Sequence, residues 1–195
     1  MDSLDTRKEL ILGQERIFAA RLGRLVLNKP QLSAWMIFIP FIFVFYIQDL
    51  MKYKKGRKEF SSNYLLSREK ALNEAVAAVM ENRKPDTMAL ARKADLKGAA
   101  VEKYGALLAV LADHYILLLK AGGENYEALV RSAHSNNSKG FLAFSDRLRR
   151  AEKELNKALL PGFGQDTQGV KTTIKNMETC SERLRRAHAK ELFKS

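Results

Sequence analysis

One cysteine, one tryptophan and four prolines occur in 195 residues. The single thiol, Cys180, excludes an internal disulfide and any metal site built on paired thiolates. A reducing compartment and a small, semi-buried packing role for Cys180 are the expectations that follow. No GxxxxGK[ST], GxGxxG or GxSxG pattern occurs in a strand context, so a phosphate loop, a dinucleotide fold and a hydrolase nucleophile elbow have no basis here. The three histidines, His114, His134 and His188, fall into neither an HExxH nor an HxH spacing. β-Branched alternation is missing after residue 52, and no repeat of fixed period runs through the chain. No catalytic residue, cofactor or metal site is expected from these residues.

What the chain has in excess is positive charge and one apolar run. The formal net charge is +12, which favours anionic partners: phospholipid head groups, nucleic acid or an acidic protein. Apolar residues at 46% and charged residues at 29% suit a folded domain rather than a disordered chain, and the length allows one such domain plus an anchor.

Residues 32–47 form a nearly unbroken apolar and aromatic run. As a helix they reach roughly 24 Å, and extension to Met51 brings this to roughly 30 Å, the thickness of a hydrocarbon core. A membrane segment over 30–51 is the expectation, with Trp35, Phe38, Pro40, Phe43 and Tyr46 as its marker residues and aromatic rings near both ends. Lys52, Lys54, Lys55, Arg57 and Lys58 follow and are expected to bind anionic lipid. Pro40 removes a backbone donor in the middle of the run, so a re-entrant hairpin stands beside the single spanning helix, and a buried soluble helix is the third reading. The dense cations after the run place the C-terminal side in the cytoplasm. The 31 residues before the run, with Asp2, Asp5, Glu9 and Glu15 among them, and the lack of a small-x-small site argue against a cleaved leader.

The expected fold is all-α: an N-terminal amphipathic helix, a single membrane-inserted helix, and a C-terminal helical bundle ending in a helical hairpin. The corresponding divisions are 1–29, an amphipathic juxtamembrane helix; 30–51, the membrane segment; 52–61, a basic linker; and 62–195, the bundle, of which 136–195 is the hairpin. Leu4, Ile11, Phe18, Leu22 and Leu25 line one side of the first helix, a stripe that suits either the head-group region or a packed partner. Helices are expected over 62–82, 86–94, 97–121 and up to about 135, with Gly122 and Gly123 ending the third. Phe141, Phe144, Leu148, Ala151, Leu155 and Ala158 step by three and four, as do Val170, Ile174, Met177, Ser181 and Leu184. Two such seams around ProGlyPheGly make a hairpin.

Two constellations remain. If the helices meeting at Gly122 and Gly123 fold back, Asp113 and His114 come near Arg131 and His134, the best metal or acid–base candidate in the chain, though surface or capping roles are the usual reading of such groups. ArgLeuArgArg occurs twice, offering Arg147, Arg149, Arg150, Arg183, Arg185 and Arg186 as an anion or partner surface among acids such as Asp146, Glu152 and Glu182. The function expected is non-enzymatic, a membrane-anchored scaffold that presents a basic cytoplasmic bundle to a protein partner or a second copy and to anionic lipid. The alternatives are a membrane-tethered nucleic-acid binder and a membrane enzyme acting on a lipid or isoprenoid.

Overall fold

The computed structural model describes residues 3–27, 56–163 and 167–194, and among these the regular elements are helical with no strand. They are α1 (Ser3–Leu27), α2 (Gly56–Met80), α3 (Thr87–Arg92), α4 (Ala99–Lys120), α5 (Tyr126–Ala133), α6 (Ser138–Leu159), a 3-10 turn (Leu160–Phe163) and α7 (Thr167–Leu192). The all-α expectation and the C-terminal hairpin agree with this. The membrane segment 30–51 lies outside the described residues, as do Lys52, Lys54 and Lys55. Among the described residues no helix is long and apolar enough to cross a membrane.

Local chemistry sets the starts of three of the helices. Asp86 accepts from the Ala89 amide, Asn125 from the Ala128 amide and Asn137 from the Lys139 amide, each at 2.9 Å. These caps satisfy donors that a helix start leaves unpaired and fix where α3, α5 and α6 begin. The basic linker expected over 52–61 is corrected: α2 already begins at Gly56, so Arg57 and Lys58 belong to its first turn. Lysine, arginine and glutamate are good helix formers, and no breaker separates them from the apolar pattern downstream.

Interhelix pairs fix the direction of each long helix. The rings of Phe18 and Tyr64 stack at 5.8 Å, and Glu15 meets Arg68 at 3.2 Å, so α1 and α2 are antiparallel neighbours. Gln14 approaches His188 at 3.4 Å and Arg185 lies 5.5 Å from the Phe18 ring, which sets α7 antiparallel to α1. Lys103 with Glu154 and Asp113 with Arg147 make α4 and α6 antiparallel, while Glu152 with Arg185 and Asn156 with Glu178 do the same for α6 and α7. Helices α1 and α6 therefore run one way and α2, α4 and α7 the other. One end of the bundle gathers Leu27, Gly56, Ala99, Leu159 and Thr167.

The core forms around α4, whose Leu107, Leu108, Leu111, Tyr115, Leu118 and Leu119 are fully buried. Helix α1 contributes Ile11, Leu12, Ala19, Leu22 and Val26 to the buried set. Its apolar stripe is thus spent inside the bundle, the packed one of the two destinations that the stripe allowed. A second consequence concerns the chain between Leu27 and Gly56. The two flanks of residues 28–55 therefore meet at one end of the bundle.

Candidate functional site

Charged residues have been drawn into the centre of this bundle. Arg68 on α2 is 1% exposed, stands with its guanidinium 3.5 Å from the centre of the Tyr64 ring, and bridges Glu15 on α1 at 3.2 Å and Glu152 on α6 at 3.0 Å. Arg185 on α7 forks onto the same Glu152 carboxylate, donating to one oxygen at 2.9 Å and to the other at 2.7 Å. Tyr115 on α4 donates to Glu15 at 2.7 Å. Two guanidinium groups and two carboxylates from four helices form a neutral, closed set, which is how buried charge becomes tolerable. Burial alone would raise the Glu152 carboxyl; the charges and hydrogen bonds of Arg185 and Arg68 outweigh that and hold it below the ordinary carboxylate range.

Beside this centre lies a cavity of about 50 Å³ whose lining includes Phe18, Tyr126, Phe141, Phe144, Ser145 and His188. Room for a few water molecules, rather than for a cofactor, is what such a volume provides. The His114 ring stacks on Phe144 with centroids 3.6 Å apart and faces the His134 ring at 5.5 Å. Burial, followed by the neighbouring His134, lowers the His114 imidazole to about 3, so it is neutral near pH 7. His134 and His188 are lowered too, mainly by burial.

The structure brings His114 and His134 together as expected across α4 and α5. Asp113 does not join them. It is exposed and pairs with Arg147 at 3.3 Å, because adjacent residues on a helix point about 100° apart. Arg131 instead donates to the Leu192 carbonyl at 3.2 Å, tying α5 to the end of α7. Among the described residues no three histidine, cysteine, aspartate or glutamate side chains are grouped so as to hold a metal ion.

The arginine clusters divide likewise. Arg185 is corrected from surface to interior, at 7% exposure in the ionic centre, and Glu152 moves with it from solvated face to core. Arg147 pairs with Asp113, Arg149 with Asp146 at 3.6 Å and Arg186 with Glu182 at 2.9 Å, whereas Arg150 and Arg183 are exposed. Arg68, Glu15 and Tyr115 were missed as a group by sequence reasoning. A signal existed: Glu152 lies four residues after Leu148 and three before Leu155, Arg68 four after Tyr64, and Arg185 four after Ser181, all in register with buried positions. Charged residues at seam positions are the mark of a buried pair.

No protein-family model matches the chain, and comparisons with curated proteins and with solved structures give no match either.

Proposed function

We propose that this chain is a membrane-attached, non-enzymatic helical bundle that holds a basic interaction domain against a bilayer for a protein partner or a second copy of itself. The observation that carries the reading is the antiparallel packing of α1 on α2, the two helices that flank the apolar run. Their shared end lets residues 30–51 enter a bilayer and return to the side they left, with Pro40 at the bend and Trp35, Phe38, Phe43 and Tyr46 among acyl chains. The cytoplasmic placement of the bundle follows from the cations on both flanks of the run, which the positive-inside tendency keeps on that side. Lys52, Lys54, Lys55, Arg57 and Lys58 would then lie at the head groups.

Nucleic acid is the weaker partner, since Arg147, Arg149 and Arg186 face acids of their own and Arg185 is consumed in the core. A lipid-modifying enzyme is weaker still: the buried carboxylates are already neutralised by arginine, and His114 is held off its proton by burial.

Fractionation of cells expressing the intact chain tests the reading, using carbonate and high-salt washes followed by protease protection of N- and C-terminal tags. The expected result is retention through both washes with the two tags accessible from one side. Release into the soluble fraction overturns attachment, and tags on opposite sides overturn the returning insertion.

A further inference from the structure

The end of the bundle where Leu27 and Gly56 meet differs in charge from the opposite end. Reading inward from that end, residues 22–27 of α1 carry Arg24 and no acid, residues 155–163 of α6 and its turn carry Lys157 and no acid, and residues 167–177 of α7 carry Lys171 and Lys175 and no acid. Lys97 precedes the start of α4 at the same end, where Asp95 and Glu102 are the exposed acids. All five cations are exposed. Lys157 shares the Glu154 carboxylate at 2.8 Å, while Arg24, Lys97, Lys171 and Lys175 make no ion pair among the described residues. The opposite end is richer in acids: Asp5 and Glu9 accompany Arg7 and Lys8 on α1, Glu124 and Glu127 follow Lys120, and Glu74 and Glu81 hold Arg83.

These cations are far apart in sequence, and only the helix directions bring them to one face. The register that sets Gln14 by His188 and Phe18 by Arg185 runs on to put Val26 beside Met177, and the two share one buried cluster. Lys175, two residues before Met177, therefore flanks the point where the chain leaves α1.

We infer that this end is a docking face for an anionic phospholipid surface, with Arg24, Lys97, Lys157, Lys171 and Lys175 as a collar around the insertion point. The inference rests on the membrane reading above and adds to it a lipid class and a set of residues outside the 52–58 segment. The argument is charge complementarity joined to position. Cations outnumber acids on this face, so its net charge is attracted to the head groups, and each cation near an anionic surface strengthens binding about fivefold at moderate salt. The guanidinium groups of the buried centre do not take part, since their charge is neutralised within the bundle.

Partitioning of the purified full chain onto vesicles tests it, with phosphatidylcholine alone compared with an equimolar mixture of phosphatidylcholine and phosphatidylglycerol. The variants are K157Q/K171Q/K175Q at the collar and K120Q/K139Q/K190Q on exposed positions away from it, both changing net charge equally. All six sites are exposed, and far-UV circular dichroism confirms that each variant is folded. The expected result is a preference for the mixed vesicles that falls more than tenfold in the collar variant and is nearly unchanged in the other. Equal losses in the two variants, or no preference between vesicles, overturn the collar while leaving attachment standing. Failure to bind either vesicle removes the membrane reading and the collar together. Retention on a nucleic acid that the collar variant loses, without any vesicle preference, assigns the face to nucleic acid and overturns the inference as well.

Discussion

Glu152 is the residue on which the interior depends, because it neutralises Arg68 and Arg185 at once. Glu152→Gln keeps the shape and removes the charge, leaving two buried guanidinium groups with only Glu15 nearby. A loss of about 3–5 kcal/mol is expected, as when one partner of a buried pair is deleted, and urea unfolding followed by circular dichroism reads it. The double change Glu152→Met with Arg185→Met should cost less than the sum of the single changes, since it deletes both members of the fork. His114 sets the acid response at a higher pH than this carboxylate. Its folded value of about 3 lies below the ordinary 6.5, so the unfolded chain binds a proton first, and stability falls as pH drops from 6.5 towards 3. Glu152, depressed below its ordinary 4.5, adds a further loss only below that value. His114→Phe keeps an aromatic ring against Phe144 and removes the largest share of the higher window, leaving the shares of His134 and His188. The variant should hold its melting temperature better than the parent between pH 6.5 and about 5, and a thermal melt at several pH values decides it.

Among the elements, the turn between α4 and α5 separates two residues that look alike in the chain. A methyl group at Gly123 would stand 2.8 Å from both the Ala128 methyl and the Leu129 amide nitrogen, whereas at Gly122 nothing lies within 4 Å. Gly123→Ala must therefore push α5 off the end of α4 and should cost about 1–3 kcal/mol by overpacking, while Gly122→Ala should be close to neutral; melting of the two variants side by side checks this. The GlyGly pair announced that a helix stops there, since paired glycines past a helix end do so, but not which glycine is packed. The same limit runs through the other elements. The three-four steps of Phe141 to Leu155 and of Val170 to Leu184 made the hairpin legible because each arm covers the other and the spacing alone identifies the covered side. The stripe on α1 was equally legible as a stripe, yet nothing in one helix says what buries it, and its destination against α2 and α7 came only from the assembled bundle. Arg185 and Glu152 were misplaced because a charge among charges reads as surface, although their phase with Ser181 and Leu148 pointed inward.

For the whole molecule, the decisive fact is that the helices on either side of residues 28–55 pack on each other. Residues 3–27 and 56–194 close one core, and the longest apolar run of the sequence lies between them. A segment that leaves and rejoins the domain at one end, as in the proposed insertion, is topologically a long loop, and loop length enters folding free energy only logarithmically, about 0.6 kcal/mol for each doubling. Replacing residues 28–55 with a short Gly/Ser loop should then leave α1 in place. Such a chain is expected to stay helical, melt cooperatively near the parent's temperature and protect the α1 amides of Ile11, Ala19 and Leu22 from hydrogen exchange as well as those of α4. On the proposed membrane reading it should also lose most of its sedimentation with membranes, since the basic face alone lacks the apolar part of that attachment. Rapid exchange along α1 with protection kept in α4 would mean that α1 packs only when the apolar run is present, and the flanks would no longer be tied to one side of a bilayer. Retained protection with continued membrane binding would move the attachment from residues 30–51 to the basic face of the bundle itself.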